Sequence, residues 1–227
     1  MTHTLHRFGH ADDLASDFIV TMMPSRGIND RDAVSKQKAF LTAAVKHGPV
    51  NLGDSTKGGQ YRPEKDASPV MHWHRDGTPK PSDVIDGVDK PTTVSAVFDN
   101  YEAVRAFIED LRQIDLGLSV NIASIPADAV RCCNDCGLTR HSVEYSLGFQ
   151  GRTDRLPDDL TLKLSSMCGH GMISAAFARK MIEWVRSGRR TPEDASRYMA
   201  RFCVCGSYNP SRAKALLDET TQTGKTP

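Results

Sequence analysis

The sequence predicts an α/β protein. It reads as a mixed sheet with a βαβαβ core over about residues 92–149 and an antiparallel strand at 160–166, with helices packed on the sheet and more helices at the C-terminus. Three observations predict this. From residue 92 to residue 149 short apolar runs alternate with stretches of helical periodicity, the order that lays helices on a sheet. The runs 141–149 and 160–166 alternate apolar and polar residues, and only about ten residues join them; that is too few for a helical crossover and suits an antiparallel pair. Beyond residue 170 three helices are expected, with helix starts at Thr191-Pro192-Glu193-Asp194 and Asn209-Pro210.

The elements follow in chain order. Residues 1–16 are polar and carry no pattern, so a loose segment is expected. FIVTMMPS (18–25) reads as a strand stopped by Pro24, and RDAVSKQKAFLTAAVKHG (31–48) as a helix ending at Gly48. Residues 49–91 concentrate Gly, Pro, Asp and Lys, and a polar connection this long is either functional or mobile. Within it, Gly53–Gly59 hints at a phosphate loop but lacks the GxxxxGK[ST] frame. His72 and His74 flank Trp73 and lie on one side of an extended segment, where they could add ligands to a nearby site.

TTVSAVF (92–98) and LSVNIAS (118–124) are strands. Between them Val104, Phe107, Ile108 and Leu111 mark one face of a helix over 101–113. PADAVRCCNDCG (126–137) is a short helix, and further helices are expected over 171–187, 192–201 and 210–218. Residues 1–91 thus form an N-terminal strand–helix segment with a long polar loop, expected in the same domain as the α/β core and C-terminal helices of 92–227.

Composition narrows the function. The 227 residues are 39% apolar and 25% charged, enough for a sizeable core. Basic and acidic residues number 29 and 28, a net charge of +1, so no nucleic acid or anionic membrane is expected as a partner. No apolar run approaches the roughly 20 residues of a membrane span. MTHTLHRFGHADDL lacks the parts of a signal peptide, which leads to the expectation of a cytoplasmic protein. Oligomeric state is left open.

Six cysteines in a reducing compartment point to ligands, catalytic groups or packing rather than to disulfides. All lie between Cys132 and Cys205: Cys132, Cys133 and Cys136 as CCxxC, Cys168 in CxH with His170, and Cys203 and Cys205 as CxC. If strands 141–149 and 160–166 pair, Cys168 meets the Cys132–Cys136 segment at one sheet edge, and the C-terminal helices return the CxC to the same place. Thiolates and imidazoles at short spacings are metal ligands. The six cysteines are therefore the expected metal set, with an iron–sulfur cluster preferred to zinc and surplus thiols left for sulfur-handling or redox chemistry on a small anionic substrate. A non-catalytic metal-stabilised or redox-sensing module stays open, and so does simple packing of buried thiols.

Met167-Cys168-Gly169-His170-Gly171 resembles the cysteine motif of the proline racemase family, a form of which occurs in diaminopimelate epimerases. The resemblance implies that Cys168 exchanges a proton with a substrate α-carbon without a metal, with His170 beside it. By its position, where a strand is expected to hand over to a helix, Cys168 would meet free N–H groups that favour its thiolate.

Overall fold

The computed structural model describes residues 4, 6–61 and 80–222. The class is mixed α/β. Five strands, β1 (Phe18–Met23), β2 (Asn51–Asp54), β3 (Gly58–Gly59), β4 (Val94–Phe98) and β5 (Ser119–Ala123), form one sheet in the order β3-β2-β4-β1-β5. Every neighbouring pair is antiparallel. The helices are α1 (Ala11–Leu14), α2 (Ala33–Val45), α3 (Pro81–Gly87), α4 (Tyr101–Ile114), α5 (Pro126–Asp135), α6 (Asp159–Ser166), α7 (Ala175–Arg186), α8 (Pro192–Ala200) and α9 (Pro210–Gln222).

The order explains how helical crossovers and antiparallel pairing coexist. In β1-α2-β2 the two strands run the same way with β4 between them; in β4-α4-β5 they flank β1. Two split βαβ units interleave, as in a ferredoxin-like sandwich, a topology that by itself names no function. The expected βαβαβ core needs correcting. Its first four elements are present, but β4 and β5 do not touch, because β1 lies between them.

Alternation sorts the strand residues onto two faces. Phe18, Val20, Met22, Leu52, Ala96 and Phe98 join Phe40, Leu41, Val104 and Phe107 in a core beneath α2 and α4. A second core lies among α6–α9, centred on Leu164, Met181, Tyr198, Met199 and Leu217. Its 203–209 loop lies against the other sheet face. Asn51 Nδ2 donates to the Tyr208 carbonyl at 2.8 Å, Ser95 Oγ donates to the Cys205 carbonyl at 2.6 Å, and Gly53 meets the Cys205-Gly206 backbone.

Two expected strands are absent. Residues 160–166 are helical: Asp158 caps α6 by accepting from the Thr161 N–H at 3.0 Å, and Leu164 enters the second core together with Met167 and Cys168 three and four residues on. Three leucines at alternate positions fit either period over so short a run, and the cap decides it. Residues 141–149 form no strand and stay exposed.

Two further expectations change. The stretch 49–91 holds β2, β3 and α3, while His72 and His74 lie outside the described residues. Residues 7–17 are not loose. Arg7 pairs twice with Asp17 at 2.7 and 2.8 Å and also donates to the Ser207 carbonyl. Arg212 reaches Asp17 at 3.0 Å, Asp13 at 2.5 Å and the Phe8 carbonyl at 2.8 Å.

Candidate functional site

Without the 141–149/160–166 pairing, the argument for one six-cysteine site loses its premise, and the structure divides the cysteines between two cores. Cys132 and Cys136 are buried beside the sheet, one helical turn apart on α5 and its cap. Cys136 donates to the Arg105 carbonyl at 3.6 Å. Burial, reinforced by Cys136, pushes the Cys132 thiol up to about 12, and burial raises Cys136 as well. These are protonated, inert thiols. Cys133 is half-buried and turns toward a cavity beside β5.

Cys168, Cys203 and Cys205 do come together, in the second core. Cys168 follows the C-terminal end of α6, with its N–H bonded to the Ser165 carbonyl at 3.2 Å. The expected helix N-terminus is not beside it, since α7 begins only at Ala175. The negative end of a helix disfavours a thiolate, so local donors must outweigh it. They are the Cys203 S–H, the largest influence, and the Met172 and His170 N–H groups. Against burial and the neighbouring Cys205, they bring the Cys168 thiol down to about 6. The turn closed by the Gly171 N–H on the Cys168 carbonyl at 2.9 Å aims those N–H groups inward, with Gly171 at φ +68.

The CxC is positioned by the end of α8. The Cys203 N–H bonds the Ala200 carbonyl and the Gly206 N–H bonds the Cys203 carbonyl, both at 3.1 Å, a tight turn carrying both thiols. Cys203 Sγ lies 3.7 Å from Cys205 Sγ, and Cys205 Sγ lies 2.9 Å from Ser207 Oγ. Hydrogen bonding to Cys168 and then to Cys205, together with burial, holds Cys203 protonated, well above its ordinary range. Beneath lies Tyr208, whose hydroxyl donates to Met199 Sδ at 3.5 Å and whose burial keeps it neutral. His170 is exposed on the covering turn.

Residue reading missed the parts that hold this site. Gly53, Gly59 and Gly206 let β2, β3 and the CxC turn meet at backbone distance, so the glycine-rich stretch is a packing device rather than a phosphate loop. The Arg7–Asp17–Arg212 group anchors residues 207–212 to the N-terminal segment, with Arg212 held by the carboxylates of Asp13 and Asp17. A basic and an acidic residue almost 200 positions apart carry no sequence signal of pairing. Ser207 and the Met172 N–H are likewise silent.

Among the described residues, no group of three or more His, Cys, Asp and Glu side chains is arranged to hold a metal ion, and no helix is long and apolar enough to cross a membrane. No family model matches the chain, and neither does any curated protein or solved structure.

Proposed function

We propose that Cys168, Cys203 and Cys205 form a thiol redox centre acting on a small disulfide or sulfane-sulfur compound. The observation that carries this reading is the hydrogen-bonded contact between the Cys168 and Cys203 side chains, with the Cys205 sulfur 3.7 Å from that of Cys203. Thiol–disulfide exchange needs an attacking thiolate near ambient pH and a second thiol in reach to resolve the mixed disulfide. The Cys168 thiolate attacks a disulfide R–S–S–R′, forms a Cys168–S–S–R bond and expels R′S⁻. Cys203 passes its proton to the departing R′S⁻ and attacks the Cys168 sulfur, RS⁻ leaves, and the substrate has gained two electrons while the protein holds a Cys168–Cys203 disulfide. Cys205 can then attack Cys203, forming a Cys203–Cys205 disulfide and releasing the Cys168 thiolate. Cys168 is 3% exposed, so a substrate enters only when the exposed Gly169–Met172 turn moves aside. That favours small substrates. The racemase-like alternative fits less well, because two proton-exchanging thiols must face opposite sides of a substrate carbon, whereas Cys168 and Cys203 touch.

A single soft metal ion is the second reading, favoured by the 3.7 Å Cys203–Cys205 separation. Two thiolates on one tetrahedral ion at about 2.3 Å each lie about 3.8 Å apart. The spacing suits one zinc better than an iron–sulfur cluster; Cys168 is not arranged as a third ligand and would have to turn toward the pair to become one. Anaerobic purification with iron and zinc assays, followed by reaction with oxidised glutathione and disulfide mapping, separates the two. The redox reading expects metal-free protein and a disulfide among residues 168, 203 and 205. Stoichiometric metal lost on Cys168→Ser would favour the second. Disulfides mapping only to Cys132, Cys133 or Cys136 would sink the first.

A further inference from the structure

β5 is the open edge of the sheet. It pairs with β1 on one side, and among the described residues no backbone hydrogen bond joins its other side to anything. Every second residue of such a strand turns an N–H and a C=O outward. β5 is also only partly covered: Asn121 is exposed and its other four residues are half-buried.

Across from this edge runs the chain after α5. Residues 139–146 are not bonded to β5, yet they are pinned at both ends. The Leu138 N–H bonds the Cys133 carbonyl at 2.8 Å, Ser146 Oγ lies 3.3 Å from His6 Nδ1, and the Phe149 and Phe8 rings lie 5.9 Å apart. Between the two walls is a cavity of about 590 Å³ running the length of β5. A strand within a sheet takes about 4.8 Å of width and about 10 Å of thickness, so this volume matches about 12 Å of strand, close to four residues. One side of the slot presents Thr21, Ser119 and Asn121; the other presents Ile108, Ala129 and Leu138.

The slot adjoins a second cavity of about 220 Å³ that shares Thr4, Ala123, Ser124, Pro126, Glu144 and Tyr145 with it. Arg7 lines this inner end. Its side chain is 5% exposed, its two terminal nitrogens are bound to Asp17 and the Ser207 carbonyl, and its Nε–H has no acceptor. Arg7, held by these bonds, closes the inner end as a fixed wall.

We infer that the slot between β5 and residues 139–146 binds an extended peptide segment of about four residues by strand addition. The bound segment hydrogen-bonds to the free edge of β5. Its side chains alternate, apolar toward Ile108 and Leu138 and small polar toward Thr21 and Asn121. The site is separate from the cysteine cluster and does not depend on it.

The test uses ¹⁵N-labelled full chain titrated to millimolar with acetyl-Val-Thr-Val-Thr-Val-amide. Expected are amide shifts at 119–123 and 139–146, with slowed exchange of the outward β5 amides. The same peptide N-methylated at alternate residues cannot donate to the edge and should bind about tenfold more weakly. Ala129→Trp, which fills the slot, should abolish binding. If that variant fails to fold, the N-methylated peptide on the unaltered protein decides alone. No shift at millimolar peptide, shifts confined to other surfaces, or equal binding of the two peptides would overturn the proposal.

Discussion

Gly206 crosses β2 directly over Gly53: a Cβ on Gly206 would fall 2.5 Å from the Gly53 Cα, and one on Gly59 would fall 2.7 Å from the Gly206 Cα. Gly206 also sits at φ +67. Gly206→Ala therefore meets a left-handed backbone and a filled space together, and it should cost about 3 kcal/mol or more. Gly171→Ala has the same backbone sign, at φ +68, but open space around it, and should cost about 1–2 kcal/mol. Urea unfolding of both variants measures the difference, and equal losses would mean that the close approach does not matter.

The second prediction concerns Asp17, whose side chain is fully buried between Arg7 and Arg212. Asp17→Ala leaves two buried guanidinium groups with fewer counter-charges. Breaking a buried pair in this way costs about 3–5 kcal/mol. The same variant should free residues 7–17, making their amides exchange faster than those of β1. A change in unfolding free energy below about 1 kcal/mol would show that solvent reaches the group.

The parts that sequence made legible and the parts it hid differ in kind. Helices α2, α4, α8 and α9 announce themselves by periodicity and caps, such as Val104–Leu111 on one face and Thr191 accepting from the Asp194 N–H at 3.0 Å. β1, β4 and β5 are apolar runs bounded by breakers. Pairing is another matter: nothing local in β4 or β5 says that β1 separates them, since strand order is set by contacts between residues far apart in the chain. Leu160, Leu162 and Leu164 satisfy two periods at once, and the deciding signal was the Asp158 cap. For the cysteines, proximity of Cys168 to the CxC could be reasoned from helices going out and back. The further link to Cys132 and Cys136 hung on a strand pair that did not form.

The third prediction follows from the opposed thiol shifts. Cys168 is lowered from 9.0 to about 6 in the folded chain. Unfolded chains then bind more protons than folded ones between those values, so its contribution to stability grows as pH rises from 6 to 9 and is lost as pH falls through 6. Cys203 and Cys132 are raised, so their contributions are complete below 9 and are lost above it. The unfolding free energy of the unaltered chain relative to Cys168→Ser should therefore climb between pH 6 and 9. A flat difference across that window would mean that Cys168 is not ionised in the fold.

The last prediction isolates the cause of that ionisation. The largest influence on Cys168 is the Cys203 S–H, with the Met172 and His170 N–H groups behind it. Alkylation by iodoacetamide reads the thiolate fraction, because only the thiolate reacts. In the unaltered chain the rate at Cys168 should rise with a midpoint near pH 6. Its 3% exposure slows the reaction at every pH, but it leaves the midpoint where ionisation puts it. Cys203→Ala removes the main donor and leaves burial to act against the two backbone N–H groups, so the midpoint should move up toward the ordinary 9.0. Met172 and His170 contribute through the backbone, so Met172→Leu and His170→Ala should leave it in place. Cys132, held at about 12, should resist the reagent until the chain is unfolded. Mass spectrometry of each cysteine against pH gives all of these midpoints in one series. If the Cys168 midpoint stays near 6 in Cys203→Ala, the turn alone makes the thiolate, and Cys203 is a neighbour rather than its partner.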